Sequence, residues 1–381
     1  MTGPLTGLTV VELAGIGPAP FAGMFLADLG AEVIRVDRPG GPGLPVEPRH
    51  DLLGRGKRSV AVDLKHPRAA GLLLALASRA DVLIEGFRPG VAERLGIGPA
   101  ACHARNPKLV YGRMTGWGQD GPLAQTAGHD LTYLALTGVL HAIGPGSGAP
   151  VPPLNLLGDY GGGGMLLAAG VLAALWQAER TGTGQVVDAA IVDGAALLAT
   201  QVYGLLHGGQ WQDRRGANLL DGGAPFYSVY ETADGGHLAV GPLEPRFYAE
   251  FVERLGGLGA DAPEQLDVAQ WPRLRKAIAT RIATRTRAAW VEIFEESDAC
   301  VAPVLSMREA PEHPHLAARE VFVDGHGVRQ PAPAPRFSAT PAGLPALPPP
   351  RPGEHSRAVL TDWGVPDVAA LIAAGVVIDA P

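Results

Sequence analysis

The first half of the chain alternates short apolar runs with helical patterns. Apolar runs bounded by turn residues predict strands, and apolar positions at helical spacing predict helices between them. The predicted strands cover residues 8–13, 32–36, 59–64, 81–84 and 108–113, and the helices include 21–29 and 68–79. This alternation predicts an α/β fold with a parallel sheet covered by helices on both faces.

The pattern changes in the second half. Long alanine-rich segments predict helices at 165–180 and 188–207, and shorter strands (226–231, 237–240) then precede helices at 246–255, 271–284 and 287–296. A proline-rich segment, 331–352, predicts an extended, solvated tether before a last helix at 356–374. We therefore expect a large domain (1–187), a linker helix (188–215), a smaller α+β domain (216–305) and a return arm with a C-terminal segment (306–381) that packs on the large domain.

Composition narrows the class of protein. The chain has 381 residues, 46% of them hydrophobic and 18% charged, which excludes disorder over its whole length. A net charge of −7 without long charge runs disfavours a nucleic-acid partner. Two distant cysteines, Cys102 and Cys300, predict no disulfide, and the N-terminus lacks the basic region of a signal peptide. The most apolar segment, 165–176, is shorter than the roughly 20 residues that span a bilayer. We expect a soluble cytoplasmic protein with no membrane partner.

The first predicted turn resembles a dinucleotide-binding loop. Gly15, Ile16 and Gly17 follow the first strand, and Asp37 lies where a ribose-binding acid would be expected. Pro20 occupies the place of the third glycine, so a simple tight βα turn is the stronger interpretation and a nicotinamide oxidoreductase the weaker one. His313 and His315 have no cysteine cluster nearby, and we predict no metal site.

Two other positions are candidates for chemistry. His129 follows a loop rich in glycine and precedes a helical pattern, so it is predicted at a helix entrance. Asp159 precedes the four glycines at 161–164, which would let a large group approach closely. Taken singly, His129 could be a capping or core histidine, and Asp159 could be the N-cap of the helix that begins near residue 165.

Six short motifs are distributed along the chain. They are VVELA at 10–14, DLGAEVI at 28–34, KRS at 57–59, DVLIEGFRPG at 81–90, GTGQ at 182–185 and GEHSRAVL at 353–360. Together they resemble a known family, the family III coenzyme A (CoA) transferases, or CaiB/BaiF proteins. Four further motifs are similar to the branch that racemises 2-methylacyl-CoA thioesters, namely RMTGWGQ at 113–119, GHD at 128–130, NLLGD at 155–159 and GANLLDGGAP at 216–225.

The resemblance implies an architecture and a reaction. It implies a Rossmann-like large domain, a smaller domain and an interlocked homodimer, with each active site shared between two subunits. The substrate is an acyl-CoA thioester, so no separate cofactor is expected. His129 and Asp159 would exchange a proton with the two faces of the α-carbon, with Glu244 as the partner of His129 and Asn155 as the partner of Asp159. The backbone amide of Asp130 is our candidate donor to the enolate oxygen.

The resemblance also implies a CoA path, and cations at strand ends suit its phosphates. The predicted CoA-binding residues are Ile16, Arg38, Val62, Leu64, Lys65, Gly86, Phe87, Arg88, Arg94 and Gly128. Racemases of this branch hold the acyl chain on a methionine-rich face, whereas the corresponding helices here carry leucines such as Leu197 and Leu198. The acyl preference therefore stays open.

Two alternatives to racemisation stay open as well. In an acyl-CoA:carboxylate CoA-transferase, Asp159 would be the nucleophile that attacks the thioester, and His129 would not be needed. A CoA-binding module without catalysis is the second alternative.

Overall fold

The computed structural model describes residues 3–40 and 46–380. The strands are β1 Thr9–Leu13, β2 Glu32–Asp37, β3 Lys57–Val62, β4 Val82–Glu85, β5 Val110–Thr115, β6 Val186–Ala190, β7 Ser228–Glu231, β8 His237–Val240, β9 Val301–Pro303, β10 Phe322–Gly325, β11 Val328–Pro331 and β12 Val377–Ile378. The helices are α1 Pro18–Asp28, α2 Ala69–Ala77, α3 Val91–Arg94, α4 Pro99–His103, α5 Asp130–Leu136, α6 Leu166–Thr181, α7 Ile191–Leu198, α8 Thr200–His207, α9 Pro245–Arg254, α10 Trp271–Ile282, α11 Arg287–Phe294, α12 Pro314–Ala318, α13 Ser356–Asp362 and α14 Val368–Ala373. A π-helix, Leu156–Met165, runs directly into α6.

A seven-stranded sheet forms the largest layer, with strand order β12-β3-β2-β1-β4-β5-β6. Strands β1 to β6 are parallel, and β12 pairs antiparallel with β3. The predicted α/β class with a mainly parallel sheet is confirmed. Strand order reverses between β1 and β4, and in such doubly wound sheets ligands bind beyond the carboxyl ends of the strands at that point.

Both faces of this sheet are buried. In β1, Val10 packs with Leu26 of α1 and Leu167 of α6, whereas Val11 packs on the opposite face with Leu73 of α2 and Val359 of α13. Burial on two sides explains why these strands are continuous apolar runs rather than alternating ones. It also explains why β1 to β5 lie within two residues of their predicted positions.

Two predicted helices are wrong in part. The segment 188–207 begins as the end of strand β6, whose Val187 pairs with Gly112 of β5, and then divides into α7 and α8. The C-terminal segment 356–374 divides into α13 and α14 around Gly364, and β12 follows as an edge strand. In both places an apolar run alone did not distinguish a strand or two short helices from one long helix.

The proline-rich segment is exposed over most of its length, as predicted, but its last part packs against the protein. Pro345, Pro349 and Pro350 are buried. The amide of Gly56 donates to the carbonyl oxygen of Leu347 at 3.0 Å, and Arg35 donates to the carbonyl oxygen of Pro350 at 3.1 Å. The segment therefore packs as an ordered part of the same unit as the large sheet.

The chain divides into two compact units. The first comprises residues 1–137, 154–198 and 315–381, and contains the large sheet and the return segment. The second comprises 138–153 and 199–314, where the antiparallel sheet β7-β8-β9 packs with α9, α10 and α11 around Phe251 and Trp290. These boundaries differ from the predicted ones, because 138–153, 199–215 and 306–314 belong with the smaller unit and 188–198 with the larger.

One apolar helix is longer than the sequence suggested. The π-helix and α6 form a continuous helix, Leu156–Thr181, of 26 residues, which by length and composition could cross a membrane. Leu167 and Val171 on this helix are fully buried in the core beside the sheet. One face of this helix is thus part of the core of the larger unit.

Candidate active site

Several of the predicted CoA-binding residues follow the carboxyl ends of neighbouring strands. Ile16 and Gly17 follow β1, Arg38 follows β2, Lys65 follows β3 and Phe87 follows β4. Parallel pairing brings these strand ends to one edge of the sheet. A groove of about 310 Å³ opens there, and its lining includes Ile16, Gly17, Arg35, Arg38, Asp51 and Lys57.

Asp159 lies inside the π-helix, which excludes the alternative that it is the N-cap of the helix near residue 165. The wider turn is visible in the hydrogen bond from the amide of Tyr160 to the carbonyl oxygen of Asn155, five residues earlier, at 3.2 Å. The side chain of Asn155 donates to Asp159 Oδ2 at 3.3 Å, and the amide of Asp159 donates to Asp130 Oδ1 at 2.7 Å. Two of the predicted site residues thus hold Asp159 in place.

The surroundings of Asp159 change its proton affinity. Burial raises the pKa of its carboxyl above the usual value, and the charge of Asp130 raises it further. The hydrogen bond from Asn155 and the charge of His129 lower this pKa, but the net direction is upward. Asp159 is therefore more easily protonated than an ordinary aspartate.

His129 lies at the N-cap of α5, which confirms its predicted place at a helix entrance. The residue is exposed, and its amide donates to Thr132 Oγ1 at 3.0 Å, while the Thr132 hydroxyl donates to its carbonyl oxygen at 2.7 Å. The next residue, Asp130, accepts the hydrogen bond from the amide of Asp159, so the start of α5 adjoins the π-helix at this point.

The first βα turn closes over Asp159, which sequence reasoning missed. Gly17 has a φ of 76° and a Cβ at this position would lie 3.0 Å from Asp159 Oδ2. Only glycine both adopts this backbone and leaves room for the carboxyl. The local signal was a glycine directly before Pro18 at a helix start, but nothing local in the sequence indicated Asp159 as its neighbour.

Tyr133 is a second neighbour of Asp159 that the sequence did not reveal. It is buried, contacts Trp117 edge-to-face with ring centroids 4.7 Å apart, and fills space that side chains at Gly116 and Gly128 would block. Burial raises the pKa of its hydroxyl, and the charge of Asp159 raises it further. Gly128, predicted to bind CoA, thus also has a packing role.

The glycines at 161–164 serve the protein's own helices. A Cβ at Gly162 would lie 2.8 Å from the amide nitrogen of Ala195 in α7, and a Cβ at Gly163 would lie 2.9 Å from Pro18 Cβ in α1. These glycines therefore let α1 and α7 pack closely against the π-helix that carries Asp159. The prediction of a close approach is right, but a ligand is not needed to explain it.

The remaining predicted residues differ in exposure. Exposed ones are Ile16, Arg38, Lys65, Gly86, Arg88 and Arg94, half-buried ones are Leu64 and Phe87, and Val62 is fully buried in the core. Glu244 is exposed at the N-cap of α9 in the smaller unit. Asp37 is buried, pairs with Arg35 at 2.8 Å and accepts from the Ser59 hydroxyl at 2.5 Å. The acid on which the nicotinamide interpretation depends is thus engaged within the protein.

Comparison with known proteins places these residues in a family context. The family described as CoA-transferase family III matches residues 5–356. The α-methylacyl-CoA racemase of Mus musculus is 47% identical over 361 residues, 94% of this chain and 93% of the mouse protein. The α-methylacyl-CoA racemase of Homo sapiens is 45% identical over 363 residues, again 94% of this chain and 93% of the relative.

The fold has a close counterpart among solved structures. A CaiB/BaiF family protein from Brucella suis superimposes with a TM-score of 0.82 at 28% sequence identity. The match covers 95% of this chain and 100% of the Brucella chain. Both units of the chain thus occur together in that structure.

Proposed function

Because the chain belongs to family III of the CoA-transferases, we propose that it is a racemase that interconverts (R)- and (S)-2-methylacyl-CoA thioesters. Identity of 47% to a named α-methylacyl-CoA racemase over 94% of the chain supports this choice within the family. The observation that carries it is the junction of the two segments that hold His129 and Asp159: Asp130, which follows His129 at the start of α5, accepts a hydrogen bond from the amide of Asp159 at 2.7 Å. Racemisation requires two acid/base groups at one carbon, and these residues would supply them.

In the proposed reaction, one group removes the α-proton and the other returns a proton to the opposite face. Asp159 acts as the base towards one epimer and His129 towards the other. At the start of a turnover, the group that acts as the base must be unprotonated and the other group protonated, and this assignment reverses for the other epimer. The raised pKa of Asp159 supports its service as an acid as well as a base. Asn155 orients its carboxyl through the 3.3 Å hydrogen bond.

The enolate formed between the two proton transfers needs stabilisation at the thioester oxygen. The amide of Asp130 is the proposed donor, since it is the first residue of α5 and its N–H lies at the positive end of that helix. Its side chain meanwhile accepts from the amide of Asp159. Asp130 would thus serve the reaction with its backbone and the geometry of the site with its carboxylate.

The CoA part of the substrate is proposed to lie along the carboxyl edge of the sheet. The cationic groups of Arg38, Lys65, Arg88 and Arg94 are exposed there and would pair with phosphates. Ile16, Gly86 and Phe87 would line the path towards Asp159, and Leu64 would contact the adenine. The buried position of Val62 leaves it a supporting role in that wall.

The active form is proposed to be an interlocked homodimer in the cytoplasm. Exposed apolar side chains on Trp176, Leu197 and Leu198 of the larger unit, at 67%, 61% and 55% exposure, support coverage by a second copy. Glu244 of one subunit would then serve His129 of the other. Sedimentation at low micromolar concentration tests this proposal, and an active monomer would contradict it.

Acyl-CoA transfer is the alternative reaction to consider, because the family also includes CoA-transferases. In that reaction Asp159 would attack the thioester as a carboxylate, and a raised pKa makes its carboxylate form less abundant. Transfer also gives no role to His129, although the residue that follows it, Asp130, is hydrogen-bonded to Asp159. Both observations favour racemisation.

The deciding experiment follows a single-epimer 2-methylacyl-CoA in D₂O by proton NMR. We expect loss of the α-proton signal and formation of the other epimer without any second CoA ester. His129→Ala and Asp159→Ala should both abolish epimerisation. Formation of a new CoA ester on addition of a free carboxylate, retained in His129→Ala, would establish the transferase instead.

A further inference from the structure

A buried ion pair lies beneath the groove. Lys57 Nζ on β3 is 2.6 Å from Glu12 Oε2 on β1, and neither side chain has exposed surface. Burial raises the pKa of Glu12 and lowers that of Lys57, while each partner's charge opposes these shifts. Glu12 Oε1 has no hydrogen-bond partner among residues 3–40 and 46–380. Because desolvation offsets the attraction within such pairs, stability alone is a weak reason for one.

Helix α1 packs directly on this pair. Lys57 Nζ donates a second hydrogen bond, at 2.9 Å, to the carbonyl oxygen of Pro20 in the first turn of α1. One turn later, a Cβ on Gly23 would overlap Glu12 Oε2 and lie 3.0 Å from Lys57 Nζ. The pair therefore fixes both the height and the rotation of α1 above the sheet.

The first turn of α1 in turn packs on the helix that carries Asp159. Gly17 lies against the Asp159 carboxyl. Pro18 fills the space beside Gly163. The ring of Phe21 stacks on Tyr160 with centroids 4.7 Å apart and planes 18° apart. A displacement of α1 would therefore reach the π-helix at three adjoining contacts, one of them with Asp159 itself.

We propose that Glu12 and Lys57 are positioning residues for Asp159, acting through α1. They hold Gly17 over the carboxyl and so keep water away from one side of it. The meaning of this role for catalysis rests on the proposed racemase function, whereas the geometric claim about Asp159 does not.

A second buried ion pair, between β4 and β5, provides a matched comparison. Arg113 Nε lies 3.1 Å from Glu85 Oε1, and Glu85 Oε2 accepts from the amide of Phe87 at 2.6 Å. This pair orders the loop proposed to bind CoA and makes none of the α1 contacts described above. Glu85→Gln should therefore raise KM and leave kcat close to wild type.

The test compares Lys57→Met and Gly23→Ala with Glu85→Gln and with Gly71→Ala, whose Cβ would meet nothing within 4 Å. In the first two variants kcat should fall about 10- to 100-fold, because small displacements of a catalytic group have effects of this size. Their KM should stay within about twofold of wild type. Gly71→Ala should resemble wild type. Wild-type kcat in folded Gly23→Ala, or a loss confined to KM, would overturn the proposal.

A readout that does not depend on activity separates this proposal from the proposed function. Carboxyl ¹³C NMR of aspartate-labelled protein, with the Asp159 resonance assigned by its loss in Asp159→Asn, gives the titration midpoint directly. Retreat of Gly17 admits water, so the midpoint should be lower in Gly23→Ala than in wild type. Gly23→Ala retains the charges of both Glu12 and Lys57. If Lys57→Met does not fold, Glu12→Gln replaces it in the comparison, because this variant retains the volume of the side chain. Unchanged midpoints would refute the role of the pair, even if the wild-type protein racemises nothing.

Discussion

Asp159 lies half-buried within a helix, whereas His129 is exposed at the start of one. The carboxyl of Asp159 is enclosed by contacts from Asn155 and Gly17, and its amide is held by Asp130. The backbone of His129 is fixed by Thr132. The larger unit by itself therefore adjusts the proton affinity of Asp159. The imidazole of His129 is exposed, so a bound substrate or a second subunit can still alter its surroundings.

The largest effects should come from removing either group. Asp159→Asn and His129→Ala should each lower epimerisation by at least the 10²–10⁴-fold typical of a positioned acid/base group. Deuterium exchange from the epimer deprotonated by the remaining base should partly survive. NMR in D₂O, run separately on each epimer, measures both quantities. Equal losses of exchange from both epimers in both variants would contradict a two-base site.

A smaller loss is expected where the first turn closes over Asp159. Gly17→Ala places a methyl group beside the Asp159 carboxyl and strains a backbone with φ of 76°, so kcat/KM should fall about 100-fold. Gly7→Ala is the matched control, since Gly7 also has positive φ, 93°, but an open surrounding. Steady-state kinetics of the two variants measure the difference. Similar losses in both would assign the effect to backbone strain alone.

Shifts in pH dependence should follow from the two side chains that act on Asp159. For the epimer that Asp159 deprotonates, kcat/KM rises with pH as its carboxyl ionises. Asp130→Asn removes a charge that raises the pKa of Asp159, so this rise should move to lower pH. Asn155→Ala removes a hydrogen bond that lowers this pKa, so the rise should move to higher pH. Shifts of the two variants in the same direction would contradict the opposite effects of Asp130 and Asn155 on the pKa of Asp159.

The smallest expected effect concerns Glu244. If this carboxylate serves His129 in the dimer, it favours the protonated imidazole, and Glu244→Gln should move the His129-dependent limb of kcat/KM to lower pH. The affinity for CoA should be unchanged. A pH–rate profile in each direction, with a CoA-binding measurement, tests this. An unaltered profile would leave Glu244 as a surface residue of α9.

The sequence predicts some of these features better than others. Strands β1 to β5 are predicted because they are buried on both faces, which produces continuous apolar runs. Strand β6 was missed, since Val186 and Asp188 are exposed and its pattern merges with the apolar helix that follows. The contacts of Asp159 with Gly17 and Asp130 join residues 142 and 29 positions away along the chain. Only the folded structure brings them together, so the motifs identified Asp159, Asn155 and Asp130 as site residues but not the contact of Gly17 with Asp159.

Strand β12 has a consequence for the synthesis of the chain. Val377 pairs with Val62 of β3, so one edge of the large sheet is completed by residues more than 300 positions later in the sequence. Until the ribosome has passed residue 378, β3 presents an unpaired edge, and such edges invite association with other chains. The whole smaller unit is translated during this interval. Nascent chains should therefore depend on chaperones for longer than a protein whose sheet is built from neighbouring segments.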